Sequence, residues 1–296
     1  MRKASIAVLS LLAGAAFAQA SMSPAERDRQ FKAERETELS LSRWLSSQRA
    51  RPLTDADRAV QAVHEAVARG DCVAAAASLN AGLAKAYPAV WMLAGAMYED
   101  GVCLKANWDR ALAFYQRADT AGHPGAAARV AAGYAASIGG RDLAASLWWA
   151  LRARTELPAP CAEVAPLAQD ADRFIAALQA WPAGQLGACA YAGAVMSAVQ
   201  GELAAPDLAL GYGLEGTLKL TFVPAQARLD IDSEGLVAAA TVQDALTRDA
   251  DQRSARDALA QQLRRAADRT LKRHDKPAGV PAAWRVETAH VLKRPL

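Results

Sequence analysis

The chain has 296 residues, of which 52% are hydrophobic and 6% aromatic, with 34 Lys and Arg against 31 Asp and Glu. Much of the apolar share is alanine, which suits packed helices and excludes an intrinsically disordered chain, and the length admits two domains. A formal charge of +3 is too small for strong attraction to nucleic acid or to anionic lipid.

The first twenty residues read as a secretory leader. Arg2 and Lys3 precede an apolar run from Ile6 to Phe17, and Ala18-Gln19-Ala20 is a small-x-small cleavage site, so the mature chain is expected to begin at Ser21. The apolar run is short for a membrane span, and no later stretch is long and apolar enough for one. Loss of Arg2 and Lys3 lowers the formal charge from +3 to +1.

Four cysteines remain in the exported chain: Cys72, Cys103, Cys161 and Cys189. None forms a C-x-x-C pair, which argues against a zinc site, and export favours disulfides. Three connectivities are possible. The spacings of about 30 residues match an antiparallel helix pair with its turn, which favours Cys72–Cys103 and Cys161–Cys189. Each bridge would stabilise by about 3–4 kcal/mol on the loop-entropy model.

Ser21 to Gln48 reads as a charged helix with sparse apolar positions at Phe31, Leu39 and Trp44. Pro52 to Asp55 breaks the chain, and Thr54 or Asp55 can cap a helix from Ala56 to Ala68. Gly70-Asp71 ends that pattern, and a further helix is expected from Cys72 to Lys85. Tyr87-Pro88 punctuates before the most patterned stretch, Val90 to His123. There Ala94, Gly95 and Tyr98 share one helical face, Gly101 closes the helix, and Ala111, Phe114, Tyr115 and Ala118 follow the i, i+3, i+4, i+7 spacing of an amphipathic partner. Pro124 to Arg154 repeats this arrangement. Tyr134 follows Tyr98 by 36 residues, Trp148-Trp149 follows Phe114-Tyr115 by 34, and Gly122-His123-Pro124 echoes Ala86-Tyr87-Pro88. Self-similarity at this period indicates stacked helical hairpins.

The stretch of about residues 55–155 resembles the Sel-one-like repeat, a relative of the tetratricopeptide repeat. Gly95, Tyr98, Gly101, Ala111, Phe114, Tyr115, Ala118 and Gly122 carry the likeness in one copy, and Ala126, Tyr134, Ala145, Trp148 and Trp149 in the next. The sequence departs from the family at Cys103, where a second loop glycine is usual, and at Asn107, where Asp is usual.

Pro158 to Pro160 interrupts the array. A helix follows from Ala171 to Trp181, then a loop from Pro182 to Gly187 that Cys189 closes. The chain then changes character. Tyr191 to Leu203 is helical. Gly216 to Phe222 alternates, with Leu218, Leu220 and Phe222 on one side and Thr217, Lys219 and Thr221 on the other, as in a half-buried strand. A turn at Pro224 leads to a second strand through Leu229 and Ile231, and Ser233-Glu234-Gly235 leads to a third stretch from Leu236 to Val242. A helix is expected from Gln252 to Arg273, with Ala255, Leu259, Leu263, Ala266 and Thr270 as its stripe. A last strand runs from Trp284 to Leu292. This order, together with Tyr191-Ala192-Gly193, Ser197-Ala198-Val199, Thr217-Leu218-Lys219-Leu220 with Pro224, and Leu229-Asp230-Ile231, resembles the C-terminal domain of TolA and, more distantly, of TonB. The likeness covers about residues 190–293. Residues Leu236 to Asp251 are additional to it.

Catalytic patterns are weak. The chain contains no G-x-S-x-G elbow and no Ser-x-x-Lys pair. His64, His123, His274 and His290 are scattered, without Cys or carboxylates at metal-ligand spacing. The glycines of Gly211-Tyr212-Gly213-Leu214-Glu215-Gly216 precede a strand, whereas a dinucleotide loop follows one. Asp230, Asp232 and Glu234 lack the remaining ligands of an EF-hand and read as a solvated turn. Eight basic residues between Arg253 and Lys276 exceed the local acids by five, which reads as a solvated helix face.

These readings combine into a mainly α plus α+β chain: a leader at 1–20, a charged helix at 21–53, a helical-hairpin repeat array at 54–187, and a small TolA/TonB-like helix–sheet domain at 188–296. The expected function is that of an exported, periplasmic protein–protein adaptor. It is not an enzyme, and it takes no cofactor, metal or nucleic acid. A groove built by the repeats, or strand addition at the last strand, would receive the partner. Trp284, Val286, Thr288 and His290 are the residues expected to meet it. The alternatives are an envelope enzyme acting on cell-wall material and a structural assembly component.

Overall fold

The computed structural model describes residues 53–136, 140–203, 214–238 and 248–292. The expected leader, nearly all of the charged N-terminal helix, and the ends of the loop at 211–213 and of the stretch running to Val242 lie outside these residues.

Helix starts are set by short polar caps. Helix α1 (Asp55–Ala68) opens on a capping box, in which the Asp57 amide donates to Thr54 Oγ1 at 3.1 Å and the Thr54 amide to Asp57 at 2.8 Å. Asp71 caps α2 (Cys72–Leu83), Asn107 caps α4 (Trp108–Thr120), and Asp142 caps α6 (Leu143–Arg152). Asn107 Oδ1 accepts from the Arg110 amide at 2.9 Å as that cap. Helix α3 (Pro88–Asp100) begins with proline in its first turn and ends at left-handed Gly101. Cys103, in the loop after α3, also takes a left-handed backbone, with φ 55°.

The pairs α1/α2, α3/α4 and α5/α6, with α5 spanning Ala126–Ala135, pack as successive hairpins. Two glycines set how closely they approach. A Cβ on Gly95 of α3 would overlap the Tyr115 ring, and one on Gly133 of α5 would overlap the Trp108 ring. Both aromatics come from α4, so α4 is wedged between the first helices of two hairpins. Tyr115 is fully buried, and Trp108 meets Tyr134 edge to face at 5.7 Å.

The short α7 (Ala159–Ala162) and α8 (Ala171–Gln179) follow, with Phe174 and Leu178 turned into a cluster with Leu147, Val164 and both Cys161 and Cys189. The next helix, α9 (Gln185–Leu203), is apolar all round, and every residue from Ala188 to Val199 is buried. It therefore needs cover on all sides. Helices α5 and α6 supply one side. The other is supplied by α10 (Arg248–Arg273) and a four-stranded antiparallel sheet. Expected as the opening of a separate C-terminal domain at 188, this helix instead starts at Gln185 and lies in the cores of both halves.

In that sheet β1 (Leu214–Val223) is central. Strands β2 (Arg228–Asp232) and β3 (Leu236–Ala238) pair with one of its edges, and β4 (Val286–Leu292) with the other. Leu218, Leu220 and Phe222 face the helices, as the alternation predicts, and join Val199, Leu259 and Leu263. Arg228, Asp230 and Asp232 face outward on the opposite side.

Alanine at Gly133 or Gly95 is expected to overpack the hairpin contacts and cost about 1–3 kcal/mol, read as a lower urea midpoint at unchanged m-value. Gly187→Ala is the control. There the nearest atom is the Pro277 Cβ at 3.8 Å, and stability should move by less than about 0.5 kcal/mol.

Candidate functional site

Where α3, α5, α9 and α10 meet, six charged side chains are enclosed between the hairpins and the sheet layer. Glu99 and Asp100 end α3, Arg129 comes from α5, Glu202 from α9, and Arg269 and Arg273 from α10. Their side chains are between 4% and 22% exposed. Arg273 donates to Glu99 at 2.9 Å and lies 3.6 Å from Asp100. Arg129 donates to Glu202 at 2.6 Å, and Arg269 approaches the same carboxylate at 4.0 Å. Tyr115 donates its hydroxyl to Glu99 at 2.7 Å. Three carboxylates thus face three guanidinium groups. Charge balance and hydrogen bonds are the conditions under which ions survive burial.

The electrostatics follow from this geometry. Burial pushes the Tyr115 hydroxyl well above its ordinary range, and the negative charge of Glu99 adds to the effect, so Tyr115 serves only as a neutral donor. Burial opposes the charge of Arg273, but Glu99 and Asp100 outweigh it and raise the pKa of its guanidinium. His274, next in the chain, is 5% exposed, and its Nδ1 has no hydrogen-bond partner among the described residues. Burial, reinforced by the charge of Arg273, pushes its pKa down to about 4. The groups that face it are Arg273, Glu99, Arg141 and the Ala135 carbonyl. The cluster surrounds a cavity of about 30 Å³, room for one or two water molecules. Its chemistry is that of a clasp between layers, with Arg129–Glu202 and Arg273–Glu99 each spanning the junction.

Sequence reasoning missed this clasp. Two carboxylates in the last turn of α3 are unfavourable to the helix dipole, and that was the available signal. The basic run between Arg253 and Lys276 divides: Arg269 and Arg273 turn into the clasp, Lys276 donates to the Ala225 carbonyl at 2.9 Å, and Arg264 and Lys272 remain exposed.

The expected residues fall elsewhere. Cys72 is bonded to Cys103 and Cys161 to Cys189, the pairs that the spacing favours. The first ties the start of α2 to the loop beyond α3. The second ties α7 to α9 across α8 rather than closing a hairpin. Trp284, Val286, Thr288 and His290 do not form an outward-facing set. Val286 is 2% exposed and sits opposite Phe222, while Thr288 and His290 lie opposite Leu220 and Leu218 on the helix-facing side. Trp284 is half-buried against the Cys161–Cys189 cluster. Glu287, Ala289 and Val291 are the residues β4 turns to solvent. Strand parity decides this, because the run opposite Leu218 and Leu220 must share their face. His123 places its Nδ1 2.7 Å from the Pro124 carbonyl, in a turn between hairpins. Asp232 accepts from the Glu234 amide, and Asp230 pairs with Arg228, as a polar turn requires. Among the described residues no group of His, Cys, Asp and Glu has the arrangement of a metal site.

Comparison of the chain with protein-family models, with curated proteins and with solved structures gives no match.

Arg273→Ala should leave Glu99 and Asp100 undercompensated and cost about 3 kcal/mol, with Glu99→Gln recovering part of the loss in the double variant, measured by urea denaturation. For His274 the folded pKa lies below the unfolded value of about 6.5, so the unfolded chain takes up the proton first. Its contribution to stability is present above pH 6.5 and declines as pH falls toward 4. Between pH 7 and pH 5 the decline should be about 2 kcal/mol. His274→Leu should flatten that part of the stability–pH curve.

Proposed function

We propose that this chain is an exported protein-binding adaptor, in which a Sel-one-like helical array carries a TolA/TonB-like sheet and the partner adds a strand to β4. The observation that carries this reading is the edge position of β4. It pairs with β1 from Val286 to Leu292, and no other described strand pairs with it. Alternate backbone groups of such a strand point away from the sheet and can accept a partner strand. Val291, on the outer face of the sheet, is 60% exposed.

Three further observations support the assignment. The stacking of α1/α2, α3/α4 and α5/α6, with Gly95 under Tyr115 and Gly133 under Trp108, is what a small-residue helical repeat needs. The order helix, strands, helix, strand fits the TolA-like pattern. Two disulfides fit a chain that folds under oxidising conditions, and no described helix is long and apolar enough to cross a membrane.

The two binding surfaces considered from the sequence are unequal. Helices α3 and α5 turn Glu99, Asp100, Arg129 and Ala132 toward α9 and α10, so that side of the hairpins is filled by the chain itself. The strand edge is therefore the preferred partner surface. The partner strand would run beside Glu287, Ala289 and Val291, which favours a basic residue near the first and apolar residues near the last.

The test is photocrosslinking in periplasmic extract with the full chain, since α9 belongs to both halves. A benzophenone side chain at position 291 should give a specific adduct. The same group at Ile175, 42% exposed on α8, should not. Ala289→Lys should abolish the adduct without lowering thermal stability. Equal adducts from both positions, or an adduct indifferent to Ala289→Lys, would overturn the assignment.

A further inference from the structure

The two disulfides occupy opposite environments. Cys161 and Cys189 are both 0% exposed and lie within the cluster of Leu147, Val164, Phe174 and Leu178. Cys72 is exposed, and so is each residue from Arg69 to Val73. Val73, the next residue of α2, is a large apolar side chain and is 84% exposed among the described residues. Cys103, the other member of this pair, is half-buried in the loop between α3 and α4.

We propose that Cys72–Cys103 is a thiol-exchange site, open to dithiol reductants in the folded protein, while Cys161–Cys189 is a permanent crosslink. The exposed backbone and apolar side chain around Cys72 suit a protein dithiol of the Cys-x-x-Cys class, which must lay a flat surface against its target before its thiolate can reach the sulfur.

The exchange balances as follows. The reductant's thiolate attacks Cys72 Sγ, the S–S bond to Cys103 breaks, and Cys103 leaves as a thiolate that takes a proton from water. The reductant's second thiol, deprotonated to solvent, attacks its own sulfur in the mixed disulfide. Cys72 leaves as a thiolate and is protonated in turn. Two electrons pass to the protein, which ends with two thiols, and the reductant ends as a disulfide. Cys72 is the first residue of α2, capped by Asp71, so the positive end of the helix favours its departure as a thiolate in the second step. The same sequence at Cys161–Cys189 requires the surrounding cluster to open first.

The consequence of exchange is local. Cys72–Cys103 ties the start of α2 to the loop after α3, so its reduction frees the α1/α2 hairpin from a covalent constraint and leaves the α9 core crosslinked.

The experiment treats the full folded chain with dithiothreitol at neutral pH, quenches with iodoacetamide at intervals, and locates the alkylated cysteines by peptide mass. Cys72 and Cys103 should be labelled together at least about tenfold faster than Cys161 and Cys189, while circular dichroism stays native. The fast phase should vanish in the Cys72→Ser/Cys103→Ser variant. Equal labelling of the two pairs, or labelling of either only after the circular dichroism is lost, would overturn the proposal.

Discussion

The burial of α9 governs this structure. A helix whose whole circumference is apolar cannot sit at the surface of a helical stack or on one face of a sheet. It has to be enclosed, and enclosure demands two layers. Helices α5 and α6 form one, and the sheet with α10 forms the other. Glycine and alanine along α9 let both come close: Gly193 meets Leu157 and Ala150, and Gly201 faces the stem of Arg129. The hydroxyls of Thr155 and Ser197 meet at 2.9 Å within this contact and satisfy each other out of reach of solvent.

Enclosure by two layers creates an electrostatic requirement at the open end of the junction. Val199 and Leu203 of α9 still pack against the sheet and α10, while Glu202 faces the space between α5 and α10. Charged side chains fill that space because they are long enough to bridge it, and they are tolerable there because cations and anions are equal in number. Such a clasp contributes little net stability compared with an apolar filling of the same volume, but removing one member would leave a buried charge uncompensated. Arg58 and Asp55, paired within the first turn of α1, lie by contrast in water and fix nothing beyond their own helix.

Much of the architecture is legible in the sequence, and the parts that are not share a cause. Capping residues and proline mark the helix starts, because these act within one turn of chain. The alternation of Leu218, Leu220 and Phe222 identifies the buried face of β1 for the same local reason. Cysteine spacing points to the pairs that form. What local pattern does not carry is the identity of the covering element. The alanine-rich run from Gln185 to Leu203 looks like any apolar helix, and nothing within it says that its second side is filled by hairpins some fifty residues earlier. The clasp is hidden for the same reason, since Glu99 and Arg273 are 174 residues apart. The orientation of β4 is hidden for a different reason. Its alternation is visible, but which side faces the helices is set by register against Phe222, Leu220 and Leu218, and that register puts Val286, Thr288 and His290 inward.

The pairing of β1 with β4 also bears on how the chain reaches its final form. Phe222 pairs with Val286, and Gly216 with Leu292, so the contacts that complete the sheet close loops of 64 to 76 residues. The hairpins depend on partners within about thirty residues and can assemble first. During that interval α9 has its hairpin side covered and its sheet side bare. A chain synthesised in N-to-C order therefore passes through a stage with a long greasy helix face exposed. That face is the natural target for holding chaperones, and the moment at which aggregation competes with folding.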